Sequence, residues 1–220
     1  MPIQRYETDF TTLGDDDLAA WRDIPPAIVG DCMNRNQVMA ARIKPLAPGT
    51  TLVGQARTVT CMVGDNAAIH VAIGLAKPGE ILVVDARAHV DTAVWGGIMT
   101  RAAMQQGLAG LVLDGAVRDA AEIRDLGFPV FAAGIVPTGP SKGFGGIIDG
   151  PIACAGAAVK SGDIILGDDD GIAVVPLERQ AELLDASREK IRQEQATNAE
   201  TAKGVLPAVG MGLPEPEIIG

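Results

Sequence analysis

Three short apolar runs recur along the middle of the chain: residues 80–85 (EILVVD), 109–114 (AGLVLD) and 128–133 (FPVFAA). None alternates apolar with polar residues, as a strand with one wet face does, so each reads as a strand buried on both faces. Helical spacing fills the gaps, over 97–106 (stopped by Gly107) and over 120–126. Strand–helix–strand order at this spacing imposes parallel pairing with right-handed crossovers, which excludes an all-helical or all-β chain. A fourth strand is predicted over 50–62. A further helix spans 66–76, with Ile69, Ala72, Ile73 and Ala76 on one face and Lys77-Pro78-Gly79 as its stop. From 143 to 175 short strands follow one another between Gly, Pro and Asp turns, the pattern of a second β layer. Residues 177–203 form a polar helix. Residues 1–40 read as helical and peripheral, the acidic run Asp15-Asp16-Asp17 opening one helix and Pro26 a second.

Charge and composition then remove whole classes of function. The chain carries 18 basic and 28 acidic residues, a net charge of −10, and only seven aromatic rings. It therefore offers nucleic acid neither a basic field nor many rings to stack on. No apolar run reaches the roughly 20 residues of a membrane helix. The N-terminal residues show no basic-then-apolar leader, and the three cysteines (Cys32, Cys61, Cys154) are odd in number and far apart. A reduced, cytoplasmic protein is expected. Soft-metal spacing is missing, so a hard ion, Mg²⁺ or Mn²⁺, held by one or two carboxylates and waters is the metal this chain suits. The acidity is uneven. Residues 161–220 hold 12 acids and 5 bases, whereas residues 40–145 hold 8 acids and 9 bases, which leaves room there for a small anion.

Ligands of open parallel sheets bind beyond the carboxyl ends of strands. Two such ends carry charge: Asp85 to Asp91, running on to Gly96-Gly97, and Asp114-Gly115 to Arg118-Asp119. Asp114-Gly115 reads as a turn. Asp119 reads either as an N-terminal helix cap or as a functional carboxylate, and Arg118 suits anion binding. Gly96-Gly97-Ile98-Met99 opens a helix whose free N–H groups can hold a carboxylate. Asp65 or Asn66 caps the helix over 66–76, with His70 structural, and Asp168-Asp169-Asp170-Gly171 reads as a hairpin turn rather than a calcium loop.

Four motifs then occur in order: Gly64-Asp65-Asn66 with Ile69-His70-Val71-Ala72, Pro78-Gly79-Glu80-Ile81-Leu82-Val83-Val84, Gly115-Ala116-Val117-Arg118-Asp119, and Gly167-Asp168-Asp169-Asp170-Gly171-Ile172 with Val174-Val175. On these the chain resembles the RraA-like superfamily, over roughly residues 25–176. That group includes class II pyruvate aldolases acting on 4-hydroxy-4-methyl-2-oxoglutarate and 4-carboxy-4-hydroxy-2-oxoadipate, non-catalytic regulators of ribonuclease E, and members long labelled menaquinone methyltransferases.

The resemblance implies a single-domain, swivelling-domain-like α/β/β sandwich over 1–220, with a core at 25–176 and a C-terminal helix at 177–203. It implies a homotrimer or homohexamer with sites between subunits. In the aldolase reading Asp119 binds Mg²⁺ or Mn²⁺ and Arg118 contacts substrate. Gly96, Gly97, Ile98 and Met99 hold the pyruvyl carboxylate through backbone N–H groups, and Asn66 lines the same pocket. A Glu from a neighbouring subunit's terminal helix, here Glu194, reaches the metal through water. The substrate is a small anionic 2-oxo acid, with oxaloacetate decarboxylation as a side activity. The alternative is a non-catalytic, protein-binding regulator of the ribonuclease E type. That alternative is disfavoured by the retained Asp119, because those regulators typically lack the Asp. The aldolases usually carry an acidic residue where this chain has Gly97, and Asp91 or Asp114 is the compensating candidate. Among the six lysines none falls in a predicted buried strand, and Lys142 is the one worth testing for imine chemistry.

Overall fold

The computed structural model describes residues 2–219. In chain order it contains β1 (Ile3–Arg5), α1 (Asp15–Ala19), α2 (Pro26–Cys32), β2 (Lys44–Pro45), β3 (Leu52–Cys61), α3 (Ala67–Leu75), β4 (Ile81–Trp95), α4 (Gly97–Gln105), β5 (Gly110–Val117), α5 (Ala120–Leu126) and β6 (Val130–Ile135). The short strands β7 (Gly146–Ile148), β8 (Ile152–Cys154), β9 (Ala157–Val159), β10 (Ile164–Asp168) and β11 (Gly171–Val175) follow. A 3₁₀ turn (Leu177–Arg179) then leads into α6 (Gln180–Ala202) and α7 (Pro207–Gly210).

Strands β3, β4, β5 and β6 pair in parallel, as the three apolar runs require. Antiparallel β7 and β2 flank them, and β1 lies parallel beside β7. The first half of β3 also pairs with β10 (Leu166↔Val53), so this one strand belongs to both β layers.

Strand periodicity distributes the core. Leu82, Val84, Leu111 and Leu113 face α3 and α4 among Ile69, Ala72, Met99 and Ala103. Their neighbours Ile81, Val83 and Val112 face the second layer, against Ile165 and Val174, with Phe131 of β6 beside them. On the far side of β10–β11, Ile164, Leu166, Ala173 and Val175 pack on Trp21, Val29, Met33 and Leu183. Each fully buried aliphatic side chain contributes roughly 1.5–3 kcal/mol. The α/β/β sandwich is thus backed by α2 and α6, which cover the outer face of its second β layer. Arg57, on β3, bridges buried Glu80 (2.6 Å) and Asp149 (2.8 Å), and Arg5 reaches Asp149 from β1 (2.8 Å).

Three local expectations change. The N-terminal segment holds the two expected helices, but residues 3–5 form a strand against β7. Trp21 is fully buried and so belongs to the core rather than the periphery. Residues 86–95 are not a loop after a finished strand, because β4 continues through them irregularly. His89, Ala93 and Trp95 lie opposite the consecutive residues Gly115, Ala116 and Val117, so β4 bulges outward, with Arg87 and Ala88 at positive φ. Gly115 allows this crossing, since a Cβ there would sit 2.8 Å from the Ala86 methyl. Asp114-Gly115 is therefore strand, not turn. Asp168 to Gly171 is the hairpin turn expected, Asp168 Oδ1 accepting from the Asp170 N–H at 2.9 Å. Among the described residues no helix is long and apolar enough to cross a membrane.

Candidate active site

The carboxyl ends of β4 and β5 are held together by the Arg118 N–H, which donates to the Trp95 carbonyl at 2.9 Å. Each strand then turns directly into a helix, so Arg118-Asp119 and Gly96-Gly97 come side by side. Thr100 Oγ1 accepts from Trp95 Nε1 at 2.8 Å and donates to the Gly96 carbonyl at 3.1 Å, which fixes the start of α4.

Asp119 occupies the N-cap position of α5 at φ 56°, yet its side chain does not cap that helix. Its Oδ2 instead accepts the Gly97 N–H of α4 at 3.0 Å. The expected capping role is real but belongs to the neighbouring helix. Ile98 and Met99, the next two residues of α4, present N–H groups that an α-helix cannot satisfy internally. N–H groups so placed, with the helix dipole, can hold a carboxylate. Both glycines lie close against acidic side chains at the start of α5. A Cβ on Gly96 would lie 2.7 Å from Asp119 Oδ2, and one on Gly97 would lie 2.5 Å from the Glu122 carboxylate. Arg118 Nε stands 3.6 Å from Asp119 Oδ2, and both side chains are 41% exposed.

These groups border an open cavity of about 180 Å³, lined also by Asn66, His70, Ala93, Val94, Trp95, Pro140 and Lys142. Asn66 is buried. Its Nδ2 donates to the Val94 carbonyl (3.1 Å) and Met99 Sδ (3.2 Å), while its Oδ1 is buried without a partner. Capping of α3 falls to Asp65, whose Oδ1 accepts the Ala67 N–H at 2.9 Å. Burial first, and then the Lys142 charge, hold the His70 imidazole below its usual pKa. Larger depressions of about 560 Å³ beside Phe10 and Leu177, and of about 310 Å³ at the end of α6, show no such meeting of an Arg-Asp pair with helix N–H groups.

The cavity therefore gathers Asn66, Gly96, Ile98, Met99, Arg118 and Asp119 as expected, with Gly97 held on Asp119. Glu194 sits on α6 beside Lys190 (3.7 Å) and is not part of this chain's cavity lining. Neither proposed compensator for Gly97 serves. Asp114 is buried and engaged by Arg42 (2.8 and 2.7 Å) and the Ala155 N–H (3.0 Å), and Asp91 is exposed on the β4 bulge outside the lining. The carboxylate against Gly97 is that of Glu122, one turn after Asp119 on α5 and paired with Arg101 at 3.0 Å. Its i+3 spacing from Asp119 was the available signal. His70 and Lys142 also line the cavity; His70 read as structural and Lys142 only as an imine candidate.

Among the described residues no three His, Cys, Asp or Glu side chains converge on a metal position. What this chain's cavity offers is one hard carboxylate, half-exposed and with only Oδ2 engaged; Glu122 lies against Gly97, outside the lining. That donor set fits Mg²⁺ or Mn²⁺ completed by water and substrate, not a closed structural site. Cys61 is buried with its thiol pushed up to about 12, and buried Cys154 is pushed up as well, so neither is a thiolate ligand.

The RraA-like family model (Aldolase/RraA) matches residues 18–174. A relative from Halalkalibacterium halodurans, provisionally named a 4-hydroxy-4-methyl-2-oxoglutarate aldolase, is 33% identical over 204 residues, 93% of this chain and 94% of its own. A Thermus thermophilus protein named 4-hydroxy-4-methyl-2-oxoglutarate aldolase is 29% identical, over 67% of this chain and 90% of its own. Among solved structures, Streptomyces coelicolor RraAS2, described as an unusual member of the RNase ES inhibitor RraA protein family, superposes with a TM-score of 0.77 at 26% identity, covering 85% of this chain and 98% of that one. Family model, relatives and fold agree: this chain belongs to the RraA-like (Aldolase/RraA) family.

Proposed function

We propose that the protein is a Mg²⁺- or Mn²⁺-dependent carbon–carbon lyase that releases pyruvate from a 4-hydroxy-2-oxo acid of the 4-hydroxy-4-methyl-2-oxoglutarate or 4-carboxy-4-hydroxy-2-oxoadipate type. Oxaloacetate decarboxylation follows from the same enolate chemistry. The observation that carries this reading is the Asp119–Gly97 hydrogen bond, which sets one carboxylate beside a helix N-terminus able to hold a second.

Asp119 would hold the metal directly. When bound, the ion supplies Lewis-acid stabilisation of the enolate charge. The α4 N–H groups of Ile98 and Met99 hold the substrate carboxylate and orient the 2-oxo acid. Arg118 stabilises the negative charge that grows on the C4 oxygen as its proton leaves. The C3–C4 bond then breaks, its electron pair passes into the pyruvate enolate, and C3 is reprotonated. Glu122, which lies against Gly97 at the start of α4, would move those protons through water. Glu194 belongs, in this reading, to the cavity of a neighbouring subunit in a homotrimer or homohexamer.

A lactate dehydrogenase-coupled assay tests the proposal. Pyruvate release that requires added Mg²⁺ or Mn²⁺ and stops with EDTA supports it; no release from any of the three substrates rejects it. The likeness to RraAS2 favours a second reading, a protein-binding regulator of ribonuclease E type. Tight ribonuclease capture together with no metal binding by calorimetry selects that reading instead.

A further inference from the structure

The Arg118 side chain lies in a slot between two glycines. A Cβ on Gly96 would stand 3.0 Å from Arg118 Cγ and 3.3 Å from Nε, and one on Gly139 would stand 2.8 Å from Nη1. Gly96 joins β4 to α4, next to Arg118 in space. Gly139 comes from the segment between β6 and β7. Its φ is not positive, so no turn demands a glycine there. Among the described residues, and apart from its chain neighbours, a Cβ at 139 would meet only Arg118 Nη1 and Cζ within 4 Å. The space left at 139 is therefore space for the guanidinium. An arginine side chain 41% exposed has many rotamers open to it, and these two walls remove most of them.

Gly139 can act as a wall only if its segment is held, and residues 136–145 belong to no helix or strand. Before Gly139, the Val136 N–H donates to the Val117 carbonyl (3.0 Å) and the Ala93 N–H donates to the Thr138 carbonyl (2.9 Å). After it, the Ser141 N–H donates to the Gly64 carbonyl (2.8 Å), and the Asn66 N–H donates to the Ser141 carbonyl (3.1 Å). Fully buried Asp65 completes the hold. Its Oδ2 accepts the N–H groups of Gly143 (2.7 Å) and Phe144 (3.1 Å), and its Oδ1 accepts that of Ala67 at the start of α3. Three charge-assisted hydrogen bonds from one carboxylate thus tie the segment to α3. We infer that Asp65 is a positioning residue for Arg118, acting through residues 136–144: its clamp keeps the Gly139 backbone against the guanidinium and so keeps that group beside Asp119. The inference rests on the lyase reading only for the work given to Arg118 in turnover.

The readout is the NMR signal of the Arg118 Nε–H group, assigned by its loss in Arg118→Lys and followed in Gly139→Ala and Asp65→Asn. Gly139→Ala is expected to unfold in urea like the wild type, because its methyl meets only the mobile end of one side chain. The Arg118 signal is nevertheless expected to shift and its mobility to rise. Asp65→Asn takes one acceptor from the Gly143 and Phe144 N–H groups, so their hydrogen exchange is expected to quicken by at least about tenfold. The Arg118 signal should move in that variant as well. In turnover each variant is expected to lower kcat about tenfold with KM changed less than about twofold, the mark of a contact that strengthens in the transition state. An unmoved Arg118 signal in Gly139→Ala overturns the slot, and one in folded Asp65→Asn overturns the clamp. Wild-type Gly143 and Phe144 N–H groups that exchange as fast as in an unfolded chain also overturn the clamp, whether or not Asp65→Asn folds. Failure of the lyase reading is scored apart: a wild type without turnover discards the lyase, while the Arg118 signal still decides the positioning role.

Discussion

Asp119 sits at the N-cap of α5 but accepts its hydrogen bond, at 3.0 Å, from Gly97 at the start of α4. One carboxylate therefore fixes the relative position of two helix N-termini and still turns an oxygen to the cavity. Structural and chemical roles meet in one side chain, and substitutions can separate them. Asp119→Asn keeps an oxygen acceptor and tolerates φ 56°, so its stability is expected to stay within about 0.5 kcal/mol of wild type. Asp119→Ala loses both features and is expected to cost about 1–2 kcal/mol. Urea unfolding of the two variants reads the difference.

Gly97→Ala tests the role of Glu122. The new methyl would fall 2.5 Å from the Glu122 carboxylate, whose flexible side chain can swing away from it and from Arg101. Stability is expected to change by less than about 1 kcal/mol, because alanine is the better helix former. Turnover is expected to fall about tenfold with the loss of a placed proton carrier. Unchanged turnover removes Glu122 from the mechanism.

The two histidines can be followed by NMR. His70 is expected to titrate below the ordinary value of 6.5, held down first by burial and then by Lys142. In Lys142→Met its value moves up, though not fully, since burial remains. With the folded value below the unfolded one, the His70 contribution to stability is complete above about pH 6.5 and is lost as pH falls toward the folded value. An unshifted His70 in that variant separates the two residues.

Borohydride treatment in the presence of pyruvate tests Lys142 for imine formation. No mass is expected to be added at Lys142. A reduced pyruvyl adduct on that residue replaces the metal-dependent mechanism with a Schiff-base one.

The sheet was legible because β4, β5 and β6 begin as unbroken apolar runs, and the Arg118-Asp119 pair was legible because it directly follows one of them. What escaped depends on segments distant in sequence. The β4 bulge is shaped by the space above Gly115, not by its own residues. Trp21 is buried by β10, β11 and α6, which a reading of the first forty residues could not supply. Asp119 looked like a local cap because its left-handed φ, which turns the side chain toward α4, leaves no mark on the sequence. Glu122 carried a helical-spacing signal beside Asp119, whereas Lys142 reaches the cavity only through the anchoring of its loop by Asp65, 78 residues away from Gly143.

The most direct test of the central claim is pyruvate release from 4-hydroxy-4-methyl-2-oxoglutarate, 4-carboxy-4-hydroxy-2-oxoadipate and oxaloacetate by wild type and Asp119→Asn, each with Mg²⁺ and with EDTA. The wild type is predicted to release pyruvate only with the metal, and Asp119→Asn to fall by at least about a hundredfold while remaining folded. Metal-independent release, or an Asp119→Asn variant as active as wild type, contradicts the account.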